Sequence, residues 1–259
     1  MRRKWIAVLV LVILVSAACS SPTRSRVVVA AGTTLVDSGF MAHLVATYEE
    51  NDPETELSVI GLSSAEAIAL AGAGNADVII THNREALDVY LSEHPESMRR
   101  DVFSSTFFLV ADPVIELDVA SLEDALRVVA ERGYSFVSRD DGSGTNAAEL
   151  AAWQVIGVDP SLEGWYIRTG TGMGSTLQVT DQRRSITLTE QGAFLASASV
   201  FSLEPVSNTV TANPYDVTLI DPSSNGAAAS FVEWLVSPDG ALAIEKANND
   251  LFDMQVYVV

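Results

Sequence analysis

Short runs of apolar, largely β-branched residues alternate along the chain with segments whose apolar residues recur at helical spacing. The first run, 27–31, is followed by a segment at 38–50 that places Phe40, Leu44 and Tyr48 on one helical face. The alternation continues with predicted strands at 57–60, 77–81 and 106–111 and predicted helices at 64–71 and 84–92. Strands and helices that alternate in this way predict a mostly parallel sheet flanked by helices.

A second series of elements begins after Asp112 and Pro113, which end the strand predicted at 106–111. It comprises predicted helices at 122–132, 146–156, 175–182 and 189–196 and predicted strands at 134–138 and 165–168. The chain then returns through an apolar run at 213–220 and ends in two helices separated by residues 237–240. We therefore expect an α/β fold of two lobes, each a mostly parallel sheet flanked by helices. The first lobe is expected to comprise residues 27–110 and 214–259, and the second residues 111–213.

The start of the chain carries the pattern of an export signal. Basic residues at 2–4 precede an apolar stretch at 5–15, which is shorter than the roughly 20 residues that a membrane-spanning helix needs. This pattern predicts a signal peptide over residues 1–18. Cys19, the one cysteine of the chain, and the polar residues after it favour lipid attachment at Cys19 and a tether over 19–26. Cleavage without lipidation is the alternative. Either outcome predicts an exported protein, lipid-anchored to the outer face of the cell membrane or periplasmic.

Acidic residues dominate the composition and give the chain a formal net charge of -19. Without residues 1–18 there remain 12 Lys and Arg residues against 34 Asp and Glu residues, a net charge of -22. This balance argues against nucleic acid as a partner, because phosphate backbones are bound by basic surfaces. It does not exclude a small anion, since charges farther than about 8 Å from a closed pocket are largely screened at physiological salt.

Three loops rich in Gly, Ser and Thr each follow a predicted strand and precede a predicted helix: 32–34, 62–64 and 138–145. In open α/β sheets, loops at the carboxyl ends of strands line the ligand crevice. Helix N-termini present unpaired N–H groups and a partial positive charge, so neighbouring helix starts form an anion site. The three loops together predict such a site.

The hydroxyl residues of the first two loops have a purely structural interpretation as well. Thr33 and Thr34 could only turn the chain, and Ser64 could be the N-cap of the following helix. Capping and ligand contact are compatible, because a cap uses an oxygen lone pair and an anion would take the hydroxyl proton.

The third loop contains an arginine, two aspartates and a Gly-Ser-Gly-Thr turn. From residue 27 onward the chain has nine arginines and one lysine, and only Arg139 lies in a glycine-rich strand-to-helix loop. One interpretation is a surface ion pair with Asp140 or Asp141, worth about 0–1 kcal/mol. The other is a bidentate contact between the guanidinium group and an oxyanion, with an aspartate holding the arginine in place.

The stretch from Phe136 to Thr145 resembles the characteristic segment of the tungstate-binding components of ABC transporters. The resemblance continues at Glu149, Leu150, Trp153, 165–166, 169–177, 187–189, 213–215 and 231–240, and so spans nearly the whole chain after the tether. It implies a two-lobed periplasmic-binding-protein fold of type II with the anion between the lobes. It also implies capture of tungstate or molybdate by a monomer that delivers the anion to the membrane permease of an ABC transporter, without a cofactor or a metal cation.

The resemblance also implies which residues contact the ligand. These are Thr33, Thr34, Ser64, Arg139, Ser143, Gly144, Thr145 and Gly172. Two features depart from the family pattern. Ala31 and Gly32 stand where the family usually has more hydroxyl residues, and Asn146 stands where it has a histidine.

Phosphate capture is the alternative function, because phosphate-binding proteins carry a similar Arg, Asp, Gly-Ser-Gly-Thr loop. Tungstate and molybdate have no proton near neutral pH and need only donors, whereas phosphate retains a proton that needs an acceptor. Asp141 is the candidate acceptor. An anion sensor that reports to a receptor is a less favoured alternative.

An enzyme is not expected from this sequence. The three histidines, His43, His82 and His94, show neither a Ser-His-Asp arrangement nor the spacing of metal ligands. The Gly142–Gly144 segment lacks the Gly-x-Ser-x-Gly pattern of a nucleophile elbow.

Overall fold

The structure, a computed structural model, describes residues 24–259. The predicted signal peptide, Cys19 and most of the tether lie outside the described residues. The strands are β1 (Ser25–Gly32), β2 (Thr55–Leu62), β3 (Val78–Thr81), β4 (Met98–Ala111), β5 (Phe136–Ser138), β6 (Tyr166–Arg168), β7 (Ile186–Glu190), β8 (Glu204–Pro205) and β9 (Thr211–Leu219). The helices are α1 (Thr33–Asp37), α2 (Phe40–Asn51), α3 (Ser64–Gly72), α4 (Arg84–Glu93), α5 (Leu122–Arg132), α6 (Gly144–Val155), α7 (Met173–Arg183), α8 (Gln191–Leu195), α9 (Gly226–Leu235) and α10 (Pro238–Phe252). Among residues 24–259, no helix has the length and apolar character needed to cross a membrane.

The described strands form one hydrogen-bonded sheet in the order β2-β1-β3-β9-β4-β7-β5-β6, with β8 paired to β4. Pairing is parallel at the two ends of the sheet, where β1 contacts β2 and β3, and β5 contacts β6 and β7. Pairing is antiparallel in the middle, where β9 lies between β3 and β4 and β4 also contacts β7. The predicted α/β class, with parallel pairing and flanking helices, is confirmed. That two long strands join the parallel ends was not predicted.

Strand β4 is longer in the structure than the sequence predicted. Its first half was missed because that half is polar. Its pairing with β9 runs from Met98 opposite Leu219 to Phe107 opposite Thr211. The residues at 99–101 are charged and break the apolar alternation that marks a strand in sequence. In the structure, Arg84 of α4 forms ion pairs with Asp101 of β4 and with Asp216 of β9, the latter at 2.8 Å. These ion pairs compensate the charge of Asp101, one of the charged residues that obscured this part of the strand in the sequence.

The buried apolar side chains segregate about the two long strands. Two clusters draw their buried members from 27–103 and 215–257, and two others draw theirs from 107–206. This separation supports, as a proposal, the predicted lobes of 27–110 with 214–259 and of 111–213. The terms first lobe and second lobe denote these two residue sets below.

Two local predictions were wrong. Thr33 and Thr34 do not lie in a loop but form the first turn of α1, directly after β1. The helix predicted at 189–196 begins only at Gln191, because the preceding residues belong to β7 and pair with β4. Glu190 ends that strand and accepts a hydrogen bond from the Ala193 backbone N–H at 2.8 Å, which caps α8.

Candidate anion-binding site

The loop between β5 and α6 is folded tightly by two residues in the left-handed region, Asp140 with φ 48° and Gly142 with φ 68°. Asp141 Oδ1 accepts a hydrogen bond from the Ser143 backbone N–H at 3.1 Å. Ser143 Oγ in turn accepts from the Asn146 N–H at 3.2 Å and caps α6. The loop therefore delivers the chain directly into the positive end of a helix.

Arg139 is buried, with 2% of its surface exposed. Its Nε and Nη2 atoms donate to Asp141 Oδ2 at 3.1 and 2.6 Å, and Nη2 also donates to Thr33 Oγ1 of the first lobe at 3.0 Å. Its Nη1 atom has no hydrogen-bond partner among residues 24–259. The interpretation as a surface ion pair is therefore wrong. The aspartate fixes the guanidinium group and leaves one buried cationic donor for another acceptor.

Ser63 caps helix α3, and this frees the neighbouring Ser64. The Glu66 N–H donates to Ser63 Oγ at 3.3 Å, and the Ser63 N–H donates to Glu66 Oε2 at 2.9 Å, which forms a capping box. Ser64 is 1% exposed, and its hydroxyl has no partner within the described part of the chain. The interpretation of Ser64 as an N-cap is wrong, and its hydroxyl is available as a donor.

Thr145, Thr34 and Gly172 lie in different surroundings. Thr145, in the first turn of α6, is 1% exposed, and its Oγ1 lacks a partner in residues 24–259. Thr34 is equally buried, but its Oγ1 lies 3.0 Å from the hydroxyl of Tyr215. Gly172 is the N-cap of α7 and lies beside the arginine loop, because the neighbouring Thr171 N–H donates to the Arg139 carbonyl at 3.2 Å.

The arginine loop of the second lobe closely approaches the first lobe at three places. The first is the hydrogen bond between Arg139 and Thr33. In the second, a Cβ built on Gly142 would lie 3.4 Å from Cβ of Ala65, which adjoins Ser64. In the third, Gly144 lies directly against the ring of His82. The structure thereby brings Thr33, Thr34, Ser64, Arg139, Ser143, Gly144 and Thr145 to one junction between the lobes, with Gly172 at its margin.

The sequence did not indicate a role for His82, which lies at this junction. Its ring stacks on Tyr215 with centroids 4.6 Å apart, and Nδ1 lies 2.9 Å from Asn213 Oδ1. Burial, together with the charge of Arg139, lowers the pKa of His82 to about 4, against the hydrogen bond to Asn213, which raises it. The imidazole is therefore neutral at neutral pH. The one available sequence signal was the position of His82 directly after a predicted strand. The segment around it contains no glycine, unlike the loop that contains Arg139.

Glu149 of α6 supports the arginine loop from within the second lobe and is 3% exposed. Its carboxyl group accepts hydrogen bonds from the hydroxyls of Ser138 and Tyr166, both at 2.5 Å, and from Trp153 Nε1 at 3.1 Å. Burial raises the pKa of Glu149 to about 7, against these hydrogen bonds, which lower it. Because Ser138 directly precedes Arg139, this network fixes the start of the loop.

The fold and the interlobe junction are features of a known class of proteins. The chain belongs to the PBP superfamily, whose domain profile matches residues 17–239. A Haloferax volcanii protein named for anion binding in an ABC transporter is 35% identical, over 84% of this chain and 68% of its own length.

The expected similarity to tungstate-binding proteins is confirmed. The tungstate-binding protein TupA of Peptoclostridium acidaminophilum is 28% identical, over 83% of this chain and 78% of its own length. The crystal structure of the tungstate ABC transporter from Geobacter sulfurreducens superposes with a TM-score of 0.76 at 28% identity. It covers 85% of this chain and 98% of that chain.

Proposed function

We propose that this protein captures tungstate or molybdate outside the cytoplasm and delivers it to the permease of an ABC importer. The observation that carries the proposal is a set of three buried polar groups at the interlobe junction, Arg139 Nη1, Ser64 Oγ and Thr145 Oγ1. None of them has a hydrogen-bond partner in residues 24–259. Eight other buried side-chain polar atoms of the described residues also lack a partner, so it is the clustering of these three donors on the loops of one junction that favours an acceptor ligand.

The state of Asp141 favours an anion without a proton. Its Oδ2 atom accepts two N–H groups of Arg139, and its Oδ1 atom accepts the Ser143 N–H. Three of the roughly four lone-pair sites of this carboxylate are therefore occupied, which leaves little acceptor capacity for the proton of phosphate. Tungstate and molybdate need donors only, and the junction supplies donors.

The strength of these groups is sufficient for tight binding. A hydrogen bond to a charged partner contributes roughly 1.5–3 kcal/mol, so the three side-chain donors supply about 5–9 kcal/mol. Nanomolar affinity needs about 12 kcal/mol. Backbone N–H groups in the first turn of α6 and exclusion of water by the closed lobes supply the remainder.

The arrangement around the site completes the proposal. We propose that Cys19 carries a lipid anchor, that residues 27–110 with 214–259 and residues 111–213 are the two lobes, and that the protein acts as a monomer. The relatives are named for anion or tungstate binding or for an ABC transporter, which supports a binding role rather than a catalytic one.

A titration of residues 24–259 with tungstate, molybdate, sulfate and phosphate at one ionic strength tests the function. A ligand at about 100 times its Kd adds roughly 2.7 kcal/mol to the free energy of unfolding. For a protein of this size, that raises Tm by roughly 5–10 °C. We expect the rise with tungstate, or with tungstate and molybdate. A rise in Tm with phosphate alone would identify phosphate as the ligand in place of tungstate or molybdate. No response to any of the four anions would refute oxyanion capture.

Neighbouring serines separate binding from folding. Ser64→Ala and Thr145→Val are each expected to weaken tungstate binding roughly 10- to 150-fold, since each removes one donor to a charged ligand. Ser63→Ala should instead lower the free energy of unfolding by about 1 kcal/mol through loss of the cap, with affinity nearly unchanged. Calorimetry and urea unfolding on all three variants measure both quantities. Equal affinities in Ser64→Ala and Ser63→Ala would remove Ser64 from the site.

A further inference from the structure

Gly144 has no room for a side chain because the ring of His82 occupies the adjacent space. A Cβ built on Gly144 would lie 2.1 Å from His82 Cδ2, 2.4 Å from Nε2 and 2.5 Å from Cγ. Gly144 is not among the residues with positive φ, so backbone conformation does not require a glycine here. What requires it is the approach of the second lobe to a side chain of the first.

The His82 ring is fixed from the other side by the two long strands. It stacks on Tyr215 of β9 at an interplanar angle of 10° and lies near Phe107 of β4, with centroids 5.8 Å apart. Asn213 of β9 holds its Nδ1 atom and donates through Nδ2 to Ser105 Oγ of β4 at 3.0 Å. A ring held on two strands of the sheet is a rigid surface rather than a mobile side chain.

The residues on either side of Gly144 are Ser143 and Thr145, whose side chains belong to the proposed site. The contact between the first turn of α6 and His82 therefore determines the distance from Thr145 to Ser64 and Thr33 on the first lobe. Tungstate and molybdate have longer bonds to oxygen than sulfate does, so an anion site that closes further would fit the smaller anion better.

We propose that His82 is a specificity-determining residue, the stop against which Gly144 closes and which sets the size of the oxyanion that fits between the lobes. The inference rests on the proposed function. It gives Gly144, which the sequence placed among the ligand contacts, a steric role as well.

The test compares the wild type with His82→Ala, Gly144→Ala and the double variant. Tungstate affinity is measured by calorimetry and sulfate affinity by competition against bound tungstate. In His82→Ala, we expect the preference for tungstate over sulfate to fall at least tenfold. In Gly144→Ala, we expect tungstate affinity to fall at least a hundredfold, because the added methyl group meets the ring. The double variant should recover at least tenfold of that loss, since removal of the ring makes room for the methyl group.

Gly174→Ala provides the matched control, because a Cβ at this glycine near the start of α7 would meet no atom of residues 24–259 within 4 Å. It should bind tungstate as the wild type does. An unchanged anion preference in His82→Ala overturns the inference, even if Gly144→Ala does not fold. Failure of the double variant to recover affinity over a folded Gly144→Ala overturns it as well. Failure of the wild type to bind any of the four oxyanions refutes the proposed function instead, so the two failures are distinguishable.

Discussion

Arg139→Ala is expected to lower the affinity for tungstate by roughly two to four orders of magnitude while the protein still unfolds cooperatively. The substitution removes the free Nη1 donor, whose hydrogen bond to a charged ligand is worth about 1.5–3 kcal/mol, and the buried positive charge, whose attraction to a dianion supplies the remainder. It also leaves the Asp141 carboxylate facing the site without its counterion, which repels a dianion. Calorimetric titration gives the affinity, and thermal unfolding without ligand tests the fold.

Arg168→Ala is the control for the loss of one positive charge. Its side chain is 54% exposed and lies 4.0 Å from Asp140 in the same loop region, whereas the Arg139 side chain is 1% exposed. An exposed pair of this kind contributes little, so affinity should change by no more than about twofold. If Arg139→Ala and Arg168→Ala bound tungstate equally well, the arginine loop would not be the binding site.

The sequence was most informative where local chemistry decides the structure. The loop that contains Arg139 was predicted from a strand followed by small and hydroxyl residues, and the structure places it at the start of α6. The assignment of Ser64 as a cap was avoidable. Ser63 and Glu66 are three positions apart, which is the spacing of a capping box, and this local rule identifies Ser63 as the cap.

Long-range packing determines what the sequence could not show. His82 acquires its role from Gly144, Tyr215 and Asn213, which are distant in sequence and meet only when both lobes are assembled. The buried environment that lowers the pKa of His82 is likewise a product of assembly. The first half of β4 was missed for a related reason, since its charges are compensated by residues of other elements.

Glu149→Ala is expected to have the largest effect on stability, a loss of about 3–5 kcal/mol in the free energy of unfolding. The buried donors of Ser138, Trp153 and Tyr166 would lose their common acceptor, and each unsatisfied group costs about 1–3 kcal/mol. Urea unfolding measures the loss. Because Ser138 adjoins Arg139, we also expect weaker tungstate binding in whatever fraction remains folded.

The pH dependence of stability shows whether the carboxyl group of Glu149 is protonated or charged in the folded protein. Its pKa is raised in the folded protein to about 7, above the ordinary value of 4.5. Below pH 4.5 the carboxyl group is protonated in both the folded and the unfolded state, and its contribution to stability is fully present. That contribution, up to about 3 kcal/mol, is lost as the pH rises through 7, where the buried group must ionise. Glu149→Gln does not titrate, so its deficit in stability relative to the wild type should shrink between pH 5 and pH 8.

Glu163→Gln, an exposed glutamate before β6, serves as the control and should differ from the wild type by less than about 0.5 kcal/mol at both pH values. A deficit in Glu149→Gln that stays constant from pH 5 to pH 8 would contradict the raised pKa. In that case, the donors of Ser138, Tyr166 and Trp153 would outweigh the cost of burial and keep the carboxylate charged. A charged Glu149 would add a fixed negative charge beneath the arginine loop, and the donors above it would have to bind a dianion against that charge.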